Sequence, residues 1–313
     1  MSAELTVGVI GAGRVGAVLA AALEAAGHRV VAASGVSAAA KHRIRTLLPG
    51  AQNLPADEVA RAATDLLIVA VPDDALAGVV TGLAATGALR PGQVVAHTSG
   101  AHGLAVLAPA VAVGARPLAL HPAMTFTGTP ADLDRLPGIS YGVTAADADV
   151  RELACALVAD LGGAPEWIAE DRRALYHAGL AHGANHLVTL VNEAADRLRD
   201  AGVLSPEKVL GPLLTAALEN ALRMGDAAIT GPVSRGDAGT VARHVRELSR
   251  TAPDSLAAYV ALARRTADRA IANGRLRAVD AEPLLGVLAD STGDAGHVES
   301  PENGAGHVGE AAK

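Results

Sequence analysis

Residues 7–16 read Val7-Gly8-Val9-Ile10-Gly11-Ala12-Gly13-Arg14-Val15-Gly16, an apolar run that stops at glycines spaced G-x-G-x-x-G and continues into an alanine-rich stretch. That spacing constrains the fold more than anything else in the chain. Gly11 permits a tight turn, Gly13 lets backbone approach a pyrophosphate with no Cβ in the way, and Gly16 lets a helix lie close to the strand before it. Taken alone, the glycines also fit an ordinary glycine-rich loop, so the flanks decide. Residues 5–10 have the composition of a buried strand, and residues 17–26 that of a helix ended by Gly27. The expectation is a dinucleotide site in which Gly11, Ala12, Gly13, Arg14, Val15 and Gly16 meet the phosphates, with the free N–H groups and positive end of the helix toward the anion.

A second strand over residues 29–33 ends at Ser34-Gly35, where a Rossmann-type fold meets the adenosine ribose. NAD enzymes usually place an Asp or Glu there for the 2′-hydroxyl. No carboxylate occurs between residues 25 and 56, whereas Ser34, Ser37, Lys41, His42, Arg43 and Arg45 cluster just past the strand. Such a set suits a 2′-phosphate, so NADP is favoured over NAD, with Ser34 and Lys41 as contacts. A solvated basic helix face is the other reading of the same residues.

Downstream, residues 65–71 form a continuous apolar strand closed by Pro72, which puts Val71 and Pro72 at the cofactor edge. Further strands are expected at 93–96, 115–120, 139–143 and 164–168, with helices at 57–63, from Asp73 or Asp74 to about 86, and at 147–161. This alternation is the pattern of an α/β fold with a doubly wound parallel sheet, whose ligands sit beyond the carboxyl ends of the strands. Near residue 170 the strand signals stop. Helical patterns continue over 171–200, 206–224, 240–250, 255–272 and 281–288. The domains expected are therefore a Rossmann domain over 1–168 and an all-helical substrate or dimerisation domain over 169–290. The tail 291–313 has no apolar periodicity and is expected to be disordered.

Composition narrows the function classes. A net charge of −7 with 2% aromatic residues argues against a nucleic-acid surface, which needs basic patches and stacking rings. The single cysteine, Cys155, excludes an intramolecular disulfide and suits a reducing compartment, with the cytoplasm as default. The most apolar window, residues 103–124, is interrupted by Pro109, Gly114, Arg116 and Pro117, so no membrane span is expected.

Candidate chemistry gathers at the strand ends and on the long helix. His97, Ser99 and His121 follow strands, with Gly100 beside them. Asn185 comes eight residues after His177, which places the two on one side of a helix about two turns apart. Ala178, Gly179, Ala181, Gly183 and Ala184 leave room for close approach by another helix or a nicotinamide ring. Arg235 sits in a loop that enters a helix, with Asp237 as a candidate cap, and suits a substrate carboxylate. A capped turn with a solvated Arg is the alternative there. His182 and His186 are one turn apart but have no third ligand, so no metal is expected. Ser99 lies in His-Thr-Ser-Gly, not in a G-x-S-x-G elbow, which disfavours a serine hydrolase.

Together, the fingerprint Gly11 to Gly16, Ala70-Val71-Pro72-Asp73-Asp74, His97-Thr98-Ser99-Gly100, His121-Pro122, Tyr176-His177 through Asn185, and Thr230-Gly231-Pro232 with Arg235-Gly236-Asp237 resemble one family over about residues 5–288. It is a Rossmann-like family of candidate oxidoreductases with a helical C-terminal domain of unassigned function. It groups with the ketopantoate reductases, the 3-hydroxyacid dehydrogenases and 6-phosphogluconate dehydrogenase, whose C-terminal domain the helical half resembles. The resemblance implies NADP-dependent reduction of a small oxo acid, ketopantoate-like in the narrowest reading, by a homodimer paired through the helical domain. In that superfamily a lysine one turn before an asparagine on the long helix donates the proton. Asn185 matches the asparagine, but the lysine position holds Ala181, and none of Lys41, Lys208 and Lys313 lies on that helix. His177 is then the first candidate donor and His121 the second, with Asn185 orienting the substrate oxygen, Ser99 and Gly100 holding its polar group, and Arg235 its carboxylate. The missing lysine also admits a non-catalytic NADP sensor, and a dimeric structural partner protein is the third reading.

Overall fold

The computed structural model describes residues 4–293, which divide into two compact units with the boundary between His186 and Leu187. In the first unit the strands are β1 (Thr6–Ile10), β2 (Arg29–Ser34), β3 (Gln52–Asn53), β4 (Leu66–Val69), β5 (Val94–His97), β6 (Arg116–Pro122), β7 (Ser140–Thr144) and β8 (Ala164–Trp167). The helices between them are α1 (Arg14–Ala25), α2 (Ala38–Leu47), α3 (Ala56–Ala62), α4 (Asp73–Ala85), α5 (Ala108–Ala112) and α6 (Ala148–Asp160). One sheet results, ordered β3-β2-β1-β4-β5-β6-β7-β8. The strand order reverses between β1 and β4, and this is the crevice where open α/β sheets take ligands.

Side-chain alternation explains the layers. Along β1 and β4, Val7, Val9, Leu66 and Ile68 join the core formed with α1 and α6, while Ile10, Leu67 and Val69 join the one formed with α3, α4 and α5. Both faces are covered, which is why these strands read as unbroken apolar runs. Gly8 is the exception on the α3 side: a Cβ there would stand 2.7 Å from the Ala63 Cβ and 3.0 Å from Val59. Its absence lets α3 close onto the sheet.

Two expectations are corrected. The sheet is not wholly parallel, because β7 runs antiparallel to β6, with His121 opposite Gly142 and Pro122 opposite Tyr141. The connection between them holds only a 3₁₀ turn, Pro130–Arg135, and without a crossover helix the chain returns in the opposite sense. The expected single helix over 171–200 is instead α7 (Arg173–Leu180), a π-helical segment (Ala181–Asn185) and α8 (His186–Asp200). The boundary between the compact units falls at the end of that π segment and not before the helix.

The second unit contains α8, α9 (Pro206–Met224), α10 (Ala238–Thr251), α11 (Pro253–Ala272) and α12 (Ala278–Gly293). Val241, Val260, Ala263, Ala267, Leu284 and Leu288 centre its core on the last three helices. Of the expected tail, the backbone of residues 291–293 completes α12, and the rest lies outside the described residues. Among the described residues no helix is long and apolar enough to cross a membrane. Gly8→Val should cost about 1–3 kcal/mol by overpacking the α3 contact. Chemical denaturation checks this, with the midpoint lowered and the slope unchanged.

Candidate active site

At the β1–α1 turn, Gly11 adopts φ +90°, and a Cβ there would fall 2.4 Å from the Ala70 carbonyl oxygen. Gly16 is equally confined, with its hypothetical Cβ 2.3 Å from the Gly11 carbonyl oxygen. Gly13 differs: a Cβ would meet nothing nearer than 3.9 Å, so the space beside it is open. The amides of Gly11 and Ala12 both donate to the Ser34 carbonyl, at 3.2 and 2.8 Å, and are not available to a ligand. Helix α1 begins at Arg14 with no side-chain cap and no acidic residue in its first turn. The first-turn amides of Arg14, Val15 and Gly16 are therefore the free donors at a positive helix end.

Past β2, the Ser37 hydroxyl caps α2 by accepting from the Ala40 amide at 3.1 Å, so it is engaged, whereas Lys41 is exposed. Arg14 and Arg43 meet over Gly128, whose Cβ would lie 3.0 Å from Arg14 Cγ and 2.6 Å from Arg43 Nε. Among the described residues none of Arg14, Lys41 and Arg43 forms an ion pair. Val71 and Pro72 close the same crevice, with Val71 Cγ1 3.1 Å from the Cβ position of Gly11.

The carboxyl ends of β5 and β6 build a second constellation. His97 is fully buried; its Nδ1 accepts the Ser99 amide at 3.2 Å, which makes Nε2 the donor to the Gly103 carbonyl at 2.8 Å. Ser99 is knitted in at every backbone and side-chain position, since its Oγ accepts from the His102 amide and its carbonyl accepts from Arg173. Arg173, 1% exposed, donates from Nε to the His102 carbonyl (2.9 Å), from Nη1 to the Gly142 carbonyl (3.0 Å) and from Nη2 to the Ser99 carbonyl (2.6 Å). No carboxylate pairs with it among the described residues; Glu170 instead accepts the amides of Leu104 and Ala105 at 2.7 and 3.0 Å. Residues 99–105 are thereby clamped from the start of α7.

Gly100 lies at the centre. A Cβ on it would stand 2.6 Å from His177 Cδ2 and 3.1 Å from both Cδ2 and Nε2 of His121, so the two imidazoles border the position a side chain would fill. Their ring centroids are 6.0 Å apart. The Gly100 amide, the His177 ring nitrogens and His121 Nε2 have no hydrogen-bond partner among the described residues. His121 Nδ1 lies 3.0 Å from the Tyr176 hydroxyl. Burial first, then the Arg173 guanidinium and His177, push His121 down to about 4; burial likewise holds His97 at about 4. Both imidazoles are neutral at physiological pH.

Of the remaining candidates, Asn185 ends the π segment. An α turn holds about 3.6 residues and a π turn about one more, so the step from His177 to Asn185 spans close to two full turns and returns to the same side. Arg235 belongs to the helical unit, exposed in the 3₁₀ turn Val233–Arg235, and Asp237 caps α10 by accepting the Thr240 amide at 2.9 Å. That unit also holds a cavity of about 420 Å³ lined by Glu193, Arg197, His244 and Tyr259 among others, with no candidate residue in it. Among the described residues no three His, Cys, Asp or Glu side chains converge as a metal site. Sequence reasoning missed Arg173 and Glu170 as parts of this cleft, and it placed Tyr176 only within the Tyr176-His177 motif without a role. The i,i+3 spacing of Glu170, Arg173 and Tyr176 across the entry to α7 is the one local hint.

Buried His97 and half-buried His121 make stability depend on pH. Unfolded, each takes up a proton near pH 6.5, whereas folded each resists protonation down to about 4. Their contribution is complete above pH 6.5 and lost as pH falls toward 4, with a slope approaching about 2.7 kcal/mol per pH unit. Denaturation midpoints measured from pH 7.5 to 4 check it, and His97→Gln should remove about half of the slope.

Residues 1–122 match the family described as a Rossmann-like domain, and residues 139–266 match a domain of unknown function, DUF2520. Among solved structures, a candidate NADP oxidoreductase from Bacteroides fragilis aligns with a TM-score of 0.73 and 22% identity, covering 85% of this chain and 98% of its own. A protein from Thermotoga maritima aligns at 0.62 and 18% identity, covering 86% and 99%. A pyrroline carboxylate reductase from Plasmodium falciparum with NADP bound aligns at 0.54 and 13% identity, covering 85% and 98%. No curated protein matches the chain. At these identities the solved structures establish a common fold, and the chain as a whole couples a Rossmann-like domain to a DUF2520 domain.

Proposed function

We propose that the chain is an NADP-dependent reductase acting on the C=O group of a small oxo acid, ketopantoate-like in size. The observation that carries the reading is the Gly100 cleft, where an unpaired amide and two neutral or unpaired imidazoles converge at the carboxyl ends of β5 and β6. Polar groups that converge without protein partners in one cleft at the strand ends suit a ligand. The residues of the β1–α1 turn fit the cofactor. Open space at Gly13 and the free amides of Arg14, Val15 and Gly16 suit a pyrophosphate, and the unpaired cations Arg14, Lys41 and Arg43 near Ser34 suit a 2′-phosphate. The B. fragilis and P. falciparum proteins, named for NADP, share this architecture.

NADPH, when bound, supplies the hydride. The Gly100 amide and the imidazoles of His177 and His121 face the substrate oxygen and stabilise the negative charge that develops there. Asn185, returned by the π turn to the side of His177, orients the same oxygen. Ser99 holds the loop that presents the Gly100 amide, with its hydroxyl proton left for the substrate. The cytoplasm, as a reducing compartment, is the setting for an NADPH-linked reduction. NADPH oxidation with a panel of 2-oxo acids tests the assignment: turnover supports it, and binding of NADPH without turnover favours the sensor. His177→Ala should lower kcat tenfold or more while NADPH affinity holds.

The homodimer is part of the same proposal. Helices α8 and α9 expose Leu187, Val188, Leu190, Val209, Leu213, Leu218 and Leu222, the last at 80%. Apolar surface on this scale is unusual for a soluble monomer. Light scattering should give twice the chain mass, and Leu213→Glu with Leu222→Glu should give the monomer.

A further inference from the structure

We propose that Tyr176 and His121 act as a coupled proton-delivery pair, in which His121 releases the proton on Nε2 into the Gly100 cleft while Nδ1 takes the phenol proton of Tyr176. The inference rests on the reductase reading for its reaction and on geometry for its residues. The Tyr176 hydroxyl lies 3.0 Å from His121 Nδ1, with the rings edge to face at 5.6 Å and 87°. The opposite edge of the same imidazole, Nε2 and Cδ2, borders the side-chain position that Gly100 leaves vacant. One ring thus connects the phenol to the cleft.

The direction of transfer follows from charge. Facing His121 are Arg173 and His177 on the helix, His97 on β5 and Asp73 at the start of α4, and the buried guanidinium outweighs the carboxylate in disfavouring an imidazolium. A neutral imidazole whose Nδ1 accepts from a phenol carries its proton on Nε2. Arg173 lies 5.7 Å from the Tyr176 ring and has only carbonyl and hydroxyl acceptors. Its positive charge is not neutralised by any ion pair among the described residues and favours an anion at the phenol oxygen. Burial pulls the other way and keeps Tyr176 protonated until the proton is drawn off.

The step balances. Hydride arrival at the carbonyl carbon converts the C=O oxygen to an alkoxide, which forms an O–H bond with the Nε2 proton. The phenol O–H bond breaks as Nδ1–H forms, leaving His121 neutral in its other tautomer and Tyr176 as a phenolate beside Arg173. The reset runs the same path with one proton from bulk solvent: Nε2 takes up the solvent proton as Nδ1 returns its own to the phenolate, which restores the neutral phenol and the starting tautomer. His121 is the catalytic residue, and Tyr176 acts through it.

The same contact would also arise if Tyr176 only positioned α7 against β6, and the experiment separates the two. In ¹⁵N-histidine-labelled protein without cofactor, the imidazole spectrum of His121 should show Nε2 protonated and Nδ1 as an acceptor from pH 8 to 5. In Tyr176→Phe that Nδ1 resonance should move and the titration midpoint change. With NADPH and an accepted oxo acid, Tyr176→Phe and His121→Gln should each lower kcat about 100-fold or more at unchanged NADPH affinity and thermal midpoint. The double variant should be no slower than the slower single one, as for groups acting in series. A His121 protonated on Nδ1, or a Tyr176→Phe variant with the parent kcat and pH profile, overturns the pair while leaving the reductase reading intact. Failure of the parent protein to oxidise NADPH with any oxo acid overturns the reductase reading, and the delivery role with it.

Discussion

A guanidinium buried among carbonyl oxygens is the interaction on which the cleft depends. Arg173 has no carboxylate partner, yet it joins the start of α7 to the loop after β5 and to β7 through Ser99, His102 and Gly142. Leaving a charge in so dry a place is expensive, and only several well-aimed acceptors make it tolerable. What the fold gains is rigidity and field. The loop carrying Gly100 is tied beside the histidines, and His121 is held neutral in a cleft that favours negative charge.

Glycine choice does as much to shape the site as any polar group. Gly100 leaves space where two imidazoles approach, Gly142 lets the Tyr176 phenol lie within 2.5 Å of the position a Cβ would occupy, and Gly103 makes way for the Glu170 carboxylate. Each of these residues would be occluded by one methyl group. The site is thus built largely by removing side chains from strand ends and letting α7 fill the gaps. Gly100 stands in the His-Thr-Ser-Gly motif, but Gly103 and Gly142 carry no such signal, because the reason for each lies tens of residues away.

No lysine lies on the long helix, and the positive charge beside the cleft comes from Arg173. A cationic donor at Ala181 would supply both proton and charge from one side chain. Here the charge resides on Arg173, and the proton of the proposed reading belongs to the neutral His121. Separating the two lets His121 stay uncharged without weakening the attraction for an oxyanion. The π segment contributes geometry: by adding a residue to one turn it keeps Asn185 in step with His177 across a helix whose α-helical phase would have carried it aside.

Much of this was legible in order of residues. The glycine spacing, the apolar strand runs and the missing carboxylate after β2 are local facts, and local facts dictate local structure: the β1–α1 turn, the strands and the uncapped helix end follow from them. The reversal of β7, the π turn and the clamp by Arg173 and Glu170 do not, because each depends on which distant backbone groups need partners once the sheet has closed. By itself, then, the sequence determined a Rossmann-type half, a helical half and a nucleotide-shaped opening turn. Only the tertiary structure decided that Tyr176, His121 and Gly100 share one cleft, since hydrogen bonds between residues 55 apart exist only after folding brings α7 to the ends of the strands.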